Sequence, residues 1–300
     1  MCGIIYAKNL KDNHPVNDLV KILYENQKER GQQGFGFVGL NAERIDTYRA
    51  TGERGIMKYL NECQYDEVIF HHRLPTSTQN TIKSTHPFVI DMESKRYYFV
   101  HNGIIQNAGE LKEKHAKRGI AYASEEGTGF NDSEALAWDF CLWLNNQQER
   151  VEAVGSVAFV CLEVDEKANR ALKLYFYRND SDRVPLKIYK DRTLFLLASI
   201  GSYPLIKARR LYFWDYQRGQ IRKSKFLDIR SPRFFSFNRY DYTDYDEEME
   251  AEAIITSLEL ERDHLVGVGR YSEADMIEDE IEDLKDRLRQ ARRQGRIWTP

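Results

Sequence analysis

The chain has 300 residues, of which 42% are hydrophobic and 30% charged, and its formal net charge at pH 7 is −3. These values are typical of a globular protein with one large domain, or one domain and an appendage, and they indicate no general affinity for nucleic acid. No stretch approaches the ~20 apolar residues that cross a bilayer, and the start of the chain lacks a signal-peptide pattern. The cysteines at 2, 63, 141 and 161 form no CxxC pair. We therefore expect no metal site, no disulfide framework and a reducing, cytoplasmic location.

Short strand-like segments and a few helices fill the first two-thirds of the chain. Strands are predicted at residues 3–7, 35–40, 45–50, 68–71, 97–100, 156–162, 172–177 and 194–198. Apolar spacing predicts helices from residue 16, from residue 55, over 108–117 and over 132–144. Because the strands come in consecutive groups and not in regular βαβ order, the pattern predicts a mixed, largely antiparallel α+β fold.

The composition changes after about residue 207. Residues 208–244 are predicted to be an extension in which basic side chains alternate with aromatic rings. Such a pattern over 207–240 is able to bind single-stranded nucleic acid, but a sheet edge with a solvated face is the favoured interpretation. Residues 245–293 carry a narrow apolar stripe interrupted by glycines, which predicts a charged helical hairpin suited to protein contact.

Cys2 directly follows the initiator methionine. Removal of Met1 would place a thiol and a free α-amine on one residue. An α-amine has a pKa of about 8, so it is able to take the thiol proton and return it to a leaving amine without a separate histidine. Taken alone, Cys2 is better explained as an ordinary buried cysteine in the first strand.

Four further segments follow Cys2 in a fixed order: ERGQQGFGF at 29–37, HHRLPTSTQNTIKSTHPF at 71–88, HNGIIQNAGEL at 101–111 and NDSEAL at 131–136. Together with Cys2, this set resembles the class II, N-terminal-nucleophile glutamine amidotransferases. Amidophosphoribosyltransferase, glucosamine-6-phosphate synthase and asparagine synthetase carry this domain. The resemblance implies an amidotransferase domain over residues 2–207, with the four-layer αββα fold of N-terminal-nucleophile hydrolases.

The resemblance also implies roles for the catalytic residues. Cys2 would attack the side-chain amide carbon of glutamine and form a thioester. The side chain of Asn102 and the backbone N–H of Gly103 would bind the developing oxyanion. A hairpin turn is the alternative explanation of this Asn-Gly pair, and the two are compatible.

The substrate-binding residues follow from the same resemblance. Arg73 would bind the α-carboxylate of glutamine through two parallel hydrogen bonds, with Thr76 supporting the same site. Asp132 would receive the α-ammonium group. Arg30, in the Arg-Gly element, belongs to a loop that shapes and closes the glutamine pocket. A surface ion pair of Arg73 with Asp132 is the alternative if the other motifs are set aside.

Two positions depart from the family pattern. Gln33 stands where the family usually has Asp, and Thr78 stands where it commonly has Gly. These changes affect the loops around the substrate and leave the nucleophile, the oxyanion donors and the head-group contacts in place. They would also suit a hydrolase of another γ-glutamyl amide.

The expected reaction is hydrolysis of glutamine to glutamate and ammonia, with no cofactor. Family members usually fuse this domain to a synthase or ligase domain, whereas the region after residue 207 contains no phosphate-binding loop. The sequence therefore predicts that ammonia passes to a separate synthase or ligase partner. A non-catalytic regulatory subunit on the same fold is the remaining alternative, and it would retain Met1.

Overall fold

The computed structural model describes residues 2–11, 14–74, 81–127, 129–181 and 183–230. From the remainder it describes only residues 262, 278, 281, 282, 285, 286 and 289. The chain divides into two units, the first formed by Met1–Ser199 with Tyr203–Pro232 and the second by Ile200–Ser202 with Arg233–Pro300. No described helix is long and apolar enough to cross a membrane.

Six strands form the first sheet of the larger unit. Their order across the sheet is β3-β2-β4-β1-β10-β9, and neighbouring strands are antiparallel. β1 lies near the middle, so the residues at its start are flanked by β4 and β10. The strands are β1 (Gly3–Asn9), β2 (Gly34–Leu40), β3 (Ile45–Ala50), β4 (Glu67–Arg73), β9 (Lys187–Lys190) and β10 (Leu194–Ala198).

The second sheet also has six antiparallel strands, in the order β12-β11-β8-β7-β6-β5. Its two longest strands, β6 and β7, pair over their whole length. The strands are β5 (Phe88–Met92), β6 (Lys95–Ile105), β7 (Gly155–Asp165), β8 (Arg170–Arg178), β11 (Arg210–Asp215) and β12 (Gln220–Phe226).

Four helices cover the outer faces of the two sheets. α1 (Asn17–Glu25) and α2 (Glu53–Glu62) pack on the first sheet, and α4 (Asp132–Leu144), with α3 (Ala108–Ala116) beside it, packs on the second. Three apolar clusters fill the spaces between helices and first sheet, between the two sheets, and between second sheet and helices. The structure therefore has the four αββα layers that the sequence predicted.

The predicted elements agree closely with these bounds. The strand at 45–50, the strand at 194–198 and the helix at 132–144 are found with their predicted ends. Four strands had no counterpart in the sequence prediction: β5, β9, β11 and β12. Two of these are short, and β11 and β12 lie in the basic and aromatic region.

The predicted extension at 208–244 contributes a hairpin to the second sheet. β11 pairs with β8, and β12 pairs with β11. The aromatic rings of β11 pack within the domain: Trp214 is buried between the sheets, Tyr212 stacks on Phe176, and Phe213 lies against Tyr175. These three rings are therefore occupied by protein packing, as expected for a sheet edge. Residues 231–244 and the helical hairpin predicted at 245–293 lie outside the described residues, apart from seven helical positions.

Candidate active site

The layer between the two sheets is apolar along most of its depth and polar at one end. Side chains along a strand alternate between the two faces of a sheet. Ile4, Ile69, Val100 and Leu197 all point into this layer. Continuing the alternation along β1, β4, β6 and β10 brings four polar residues to the same end of the layer: Cys2, Arg73, Asn102 and Ser199.

Cys2 lies immediately before β1, between the end of β4 and the start of the segment after β10. Its Sγ donates to the carbonyl of Leu74 at 3.7 Å. Burial raises the pKa of the thiol, and the nearby guanidinium groups of Arg73 and Arg30 act in the opposite direction. Because burial has the larger effect, the thiol is neutral at physiological pH and needs a base before it becomes a nucleophile.

Asn102 is the residue that connects the two sheets at this site. It is buried in β6, and its Nδ2 donates to the carbonyl of Cys2 at 2.9 Å and to Oγ of Ser199 at 2.9 Å. Both N–H bonds of the amide are thus engaged within the protein. Its Oδ1 is buried without a hydrogen-bond partner among the described residues.

Gly103 has a backbone conformation that only glycine adopts readily. Its φ is +140°, and a Cβ at this position would lie 1.7 Å from the carbonyl oxygen of Ser156. Val157, the residue opposite Gly103 on β7, directs its N–H and C=O to Asn179. The N–H of Gly103 therefore faces the other edge of β6, where β5 pairs only as far as Phe99.

Asp132 lies at the same edge of β6 as the N–H of Gly103. Backbone groups that face one edge recur at every second residue, and Ile105, two residues after Gly103, donates its N–H to Asp132 Oδ2 at 2.7 Å. Asp132 begins α4, whose N-cap Asn131 accepts from the N–H of Ser133 at 2.9 Å. Burial raises the pKa of the Asp132 carboxyl, while the N–H groups of Ile105 and Ser133 and the charge of Arg73 oppose this.

Arg73 ends β4 and is 4% exposed. Its Nη1 donates to Oγ of Ser84 at 2.8 Å, and Ser84 also accepts, through its backbone carbonyl, from Nδ2 of Asn131 at 2.9 Å. Burial lowers the pKa of Arg73, and the negative charge of Cys2 when it is ionised, together with that of Asp132, raises it. The guanidinium, the thiol and the carboxyl are thus close enough to interact electrostatically.

Arg30 contacts the backbone of Cys2. Its Nε donates to the carbonyl of Cys2 at 2.9 Å, so this oxygen accepts from both Arg30 and Asn102. Gly31, the next residue, packs against the backbone of Arg73: a Cβ at position 31 would lie 2.4 Å from the carbonyl carbon of Arg73. Gln33, which replaces the usual Asp, is exposed and donates its backbone N–H to the carbonyl of Arg73 at 3.1 Å.

The chain is similar in sequence to curated glutamine–fructose-6-phosphate aminotransferases (isomerizing). The protein from Campylobacter jejuni is 26% identical over 243 residues, which are 76% of this chain and 37% of that protein. The protein from Helicobacter pylori is 26% identical over 263 residues, 81% of this chain and 40% of that protein. This chain thus spans about two-fifths of the length of these relatives. No protein-family model matches it.

Two solved structures share the fold. Glutamine phosphoribosylpyrophosphate amidotransferase from B. subtilis, complexed with ADP and GMP, superimposes with a TM-score of 0.58 at 16% identity, covering 76% of this chain and 50% of that one. A structure described as the allosteric regulatory enzyme of purine biosynthesis gives a TM-score of 0.59 at 17% identity, with the same coverage. Sequence similarity over most of the chain and this fold agree. The chain is thus similar to glutamine amidotransferases in both sequence and fold.

Three buried histidines near the site form hydrogen bonds within the domain. His71 is hydrogen-bonded to the carbonyl of His101, and His72 to the carbonyl of Gly31. His101 is hydrogen-bonded to Oγ of Ser133 and to the carbonyl of Ser156. Burial lowers the pKa of His72 and of His101 to about 4. These rings are therefore neutral, and none of these contacts reaches the Cys2 thiol.

The structure brings six of the seven predicted site residues of the amidotransferase domain to one end of the layer between the sheets. Thr76 and Thr78 lie outside the described residues. Sequence reasoning did not single out Ser84, which binds Arg73, or Ser199, which binds Asn102. Ser199 follows an apolar strand at the position where the two-residue alternation points inward, and this spacing was the available signal.

Proposed function

We propose that this chain hydrolyses the side-chain amide of glutamine through a Cys2 thioester and supplies the ammonia to a separate synthase or ligase partner. The observation that supports the proposal is the convergence of a buried cysteine, an asparagine amide, a glycine backbone N–H, a cation and an anion at one end of the layer between the sheets. These groups are Cys2, Asn102, Gly103, Arg73 and Asp132.

Arg73 and Asp132 suit the amino-acid head of glutamine. A guanidinium binds a planar carboxylate with two parallel hydrogen bonds, and a carboxylate accepts from an ammonium group. Each side chain already has a protein contact that fixes its position, Ser84 for Arg73 and the N–H of Ile105 for Asp132. A substrate held between these two charges is positioned by contacts that do not take part in bond cleavage, which leaves its amide for Cys2.

The free α-amine of Cys2 is the base of the proposed reaction. Because burial raises the thiol pKa, the proton has to be removed as Sγ attacks the amide carbon. The α-amine, exposed by removal of Met1, takes that proton. The carbonyl oxygen becomes an oxyanion bound by the N–H of Gly103 and the amide of Asn102.

Collapse of the tetrahedral intermediate completes the transfer. The C–N bond breaks, the α-amine returns the proton to the leaving nitrogen, and ammonia and a γ-glutamyl thioester on Cys2 result. Water then attacks the thioester with the α-amine again as base, and glutamate leaves. No step in this sequence changes an oxidation state.

The acceptor reaction is assigned to another polypeptide. The curated relatives are named as aminotransferases of glutamine and fructose-6-phosphate. A reducing compartment such as the cytoplasm suits the reaction, since Cys2 acts as a free thiol. Ammonia would leave through an interface between the two proteins.

Glutamate release from glutamine by the purified chain tests the proposal. Intact-mass analysis is performed first, and only protein that has lost Met1 is assayed, next to Cys2→Ala. We expect thiol-dependent glutamate release that Cys2→Ala abolishes. Release that persists in Cys2→Ala would refute the nucleophile assignment.

Alternative substrates and a partner requirement are separated by two further assays. A panel of γ-glutamyl amides, compared by kcat/KM, shows whether free glutamine is preferred; a strong preference for a substituted amide would identify another γ-glutamyl hydrolase. Alkylation of Cys2 by a glutamine analogue with an electrophilic side chain, at a concentration where glutamine protects, reports binding without turnover. Retention of Met1 in the native protein would favour a non-catalytic subunit.

A further inference from the structure

Ser199 contacts both β1, the strand that follows Cys2, and Asn102. It follows β10 directly and is 1% exposed. Its backbone N–H donates to the carbonyl of Ile4 at 3.0 Å, and its Oγ accepts from the N–H of Ile4 at 2.9 Å. Ser199 thus holds both backbone groups of a residue two positions from Cys2.

The same hydroxyl oxygen accepts from Asn102 Nδ2 at 2.9 Å. The second N–H of that amide is engaged with the carbonyl of Cys2. This carbonyl oxygen is only an acceptor, so the orientation of the amide is fixed with nitrogen towards Cys2. In the resting structure, Asn102 therefore has no N–H left for a substrate oxyanion, although its place beside Cys2 and Gly103 suits that role.

One of the two contacts has to be released when the oxyanion forms. The carbonyl of Cys2 also accepts from Nε of Arg30 at 2.9 Å, so it keeps a donor if Asn102 turns away. The χ2 torsion of asparagine is broad and soft, so a modest rotation of the amide is inexpensive. Each acceptor keeps a second donor when Asn102 leaves it: Nε of Arg30 for the Cys2 carbonyl, and the N–H of Ile4 for Ser199 Oγ. Because the donor that remains at Cys2 is a charged guanidinium and the one at Ser199 is neutral, release from Cys2 is the less costly change.

We propose that Ser199 is a positioning residue for the reaction: it anchors one N–H of Asn102, so that the other alternates between the Cys2 carbonyl and the substrate oxyanion. Arg30 holds the Cys2 carbonyl while Asn102 serves the oxyanion. Ser199 touches neither substrate nor reacting atoms in this scheme and acts through Asn102. The inference rests on the proposed glutaminase reaction.

A double-mutant cycle tests this dependence. Ser199→Ala is expected to lower kcat about 10- to 100-fold, because loss of a full oxyanion donor costs ~10²–10³, and to change KM less than about 3-fold, because Arg73 and Asp132 are untouched. In an Asn102→Ala background, the same Ser199→Ala change is expected to alter kcat less than about 2-fold. Losses that multiply in the double variant would overturn the proposal, because Ser199 would then act independently of Asn102.

Controls separate positioning from a general packing effect. Ser124→Ala removes another buried serine, whose Oγ accepts from the N–H of Asn131 at 3.0 Å, and it is expected to keep kcat within about 3-fold. Ser199→Thr keeps the hydroxyl and should restore most of the rate, and Ser199→Cys, with a weaker acceptor, should be intermediate. Equal rates for Ser199→Cys and wild type, with both folded by circular dichroism, would overturn the proposal even if Ser199→Ala does not fold.

Glutamate release by the wild-type protein distinguishes a failure of the proposed glutaminase function from a failure of the role proposed for Ser199. Wild-type protein with a free Cys2 amine that releases no glutamate refutes the glutaminase assignment before any Ser199 variant is compared. Active wild type with Ser199→Ala at the same kcat refutes only the positioning role. Alkylation of Cys2 by iodoacetamide needs no oxyanion donor, so its rate is expected to change less than about 2-fold in Ser199→Ala.

Discussion

Replacement of Asp132 by asparagine separates the charge of this residue from its structural contact. Asp132 Oδ2 accepts the N–H of Ile105 at 2.7 Å, and an asparagine Oδ1 is able to keep that bond. The substitution therefore preserves the start of α4 and the edge of β6, and removes only the negative charge offered to the substrate α-ammonium group.

The magnitude follows from the type of contact. A hydrogen bond to a charged group contributes about 1.5–3 kcal/mol, and about 1.4 kcal/mol corresponds to a tenfold change in rate. We therefore expect Asp132→Asn to lower kcat/KM for glutamine by about 10- to 150-fold, mainly through KM. Because burial raises the pKa of Asp132, wild type itself protonates this group at a higher pH than an ordinary aspartate, so the difference between the two proteins shrinks as the pH falls through that range.

Glutaramate, which is glutamine without its α-amino group, is the control substrate. Wild type and Asp132→Asn are expected to hydrolyse it with kcat/KM values within about 2-fold of each other, since it offers no ammonium group to Asp132. A loss on glutaramate as large as the loss on glutamine would refute the reasoning. Unchanged kcat/KM for glutamine would refute it as well.

Glu134 provides a matched control in the same turn of α4. Its two carboxylate oxygens accept from the N–H groups of Ala123 and Ser124 at 2.7 and 2.8 Å, and it is 2% exposed. Glu134→Gln leaves one of these N–H groups without its acceptor, which costs about 1–3 kcal/mol of unfolding free energy. It is expected to lower the Tm and to leave KM for glutamine unchanged.

Two further predictions concern Arg30 and the stability of the domain. Arg30→Lys removes the Nε donor to the Cys2 carbonyl and is expected to lower kcat about 10-fold at nearly constant KM; a rise in KM alone in steady-state kinetics would instead assign Arg30 to substrate binding. Burial lowers the pKa of His115 from 6.5 to about 4, so below pH 6.5 the unfolded chain binds the proton that the folded domain excludes, and stability falls as the pH drops from 6.5 to 4. Between pH 7 and 4.5, His115→Gln should reduce this fall by about 2.5 kcal/mol in denaturant unfolding, since about two pKa units at ~1.36 kcal/mol each lie in this range. An unchanged pH slope would contradict the burial effect.

The motifs and periodicity of the sequence predicted the candidate site residues and most of the elements. Cys2 and the four following segments identified the family through the order of their motifs, and the periods of two and 3.6 residues placed eight strands and four helices. The strand at 194–198 and the helix at 132–144 were found with their predicted ends because their apolar patterns are continuous and their neighbours are polar.

The edge strands depended on tertiary contacts. β11 reads RLYFWD, and its composition alone suits an aromatic binding surface as well as a strand. Pairing with β8 makes it a strand of the second sheet, buries Trp214 and stacks Tyr212 on Phe176. β9 has only four residues, which is too short for a periodic signal.

The contacts within the site were also decided by tertiary structure. The sequence assigned Arg30 to the glutamine pocket and Asn102 to the oxyanion, whereas the fold directs both side chains to the carbonyl of Cys2. Ser199 lies 97 residues from Asn102 and 195 from Ile4. Local periodicity specifies which face of a strand a side chain occupies, but the partner across the layer is set by how the two sheets pack. The sequence therefore supplied the reactive groups, and the packing of the sheets decided which of them are bonded to one another before substrate arrives.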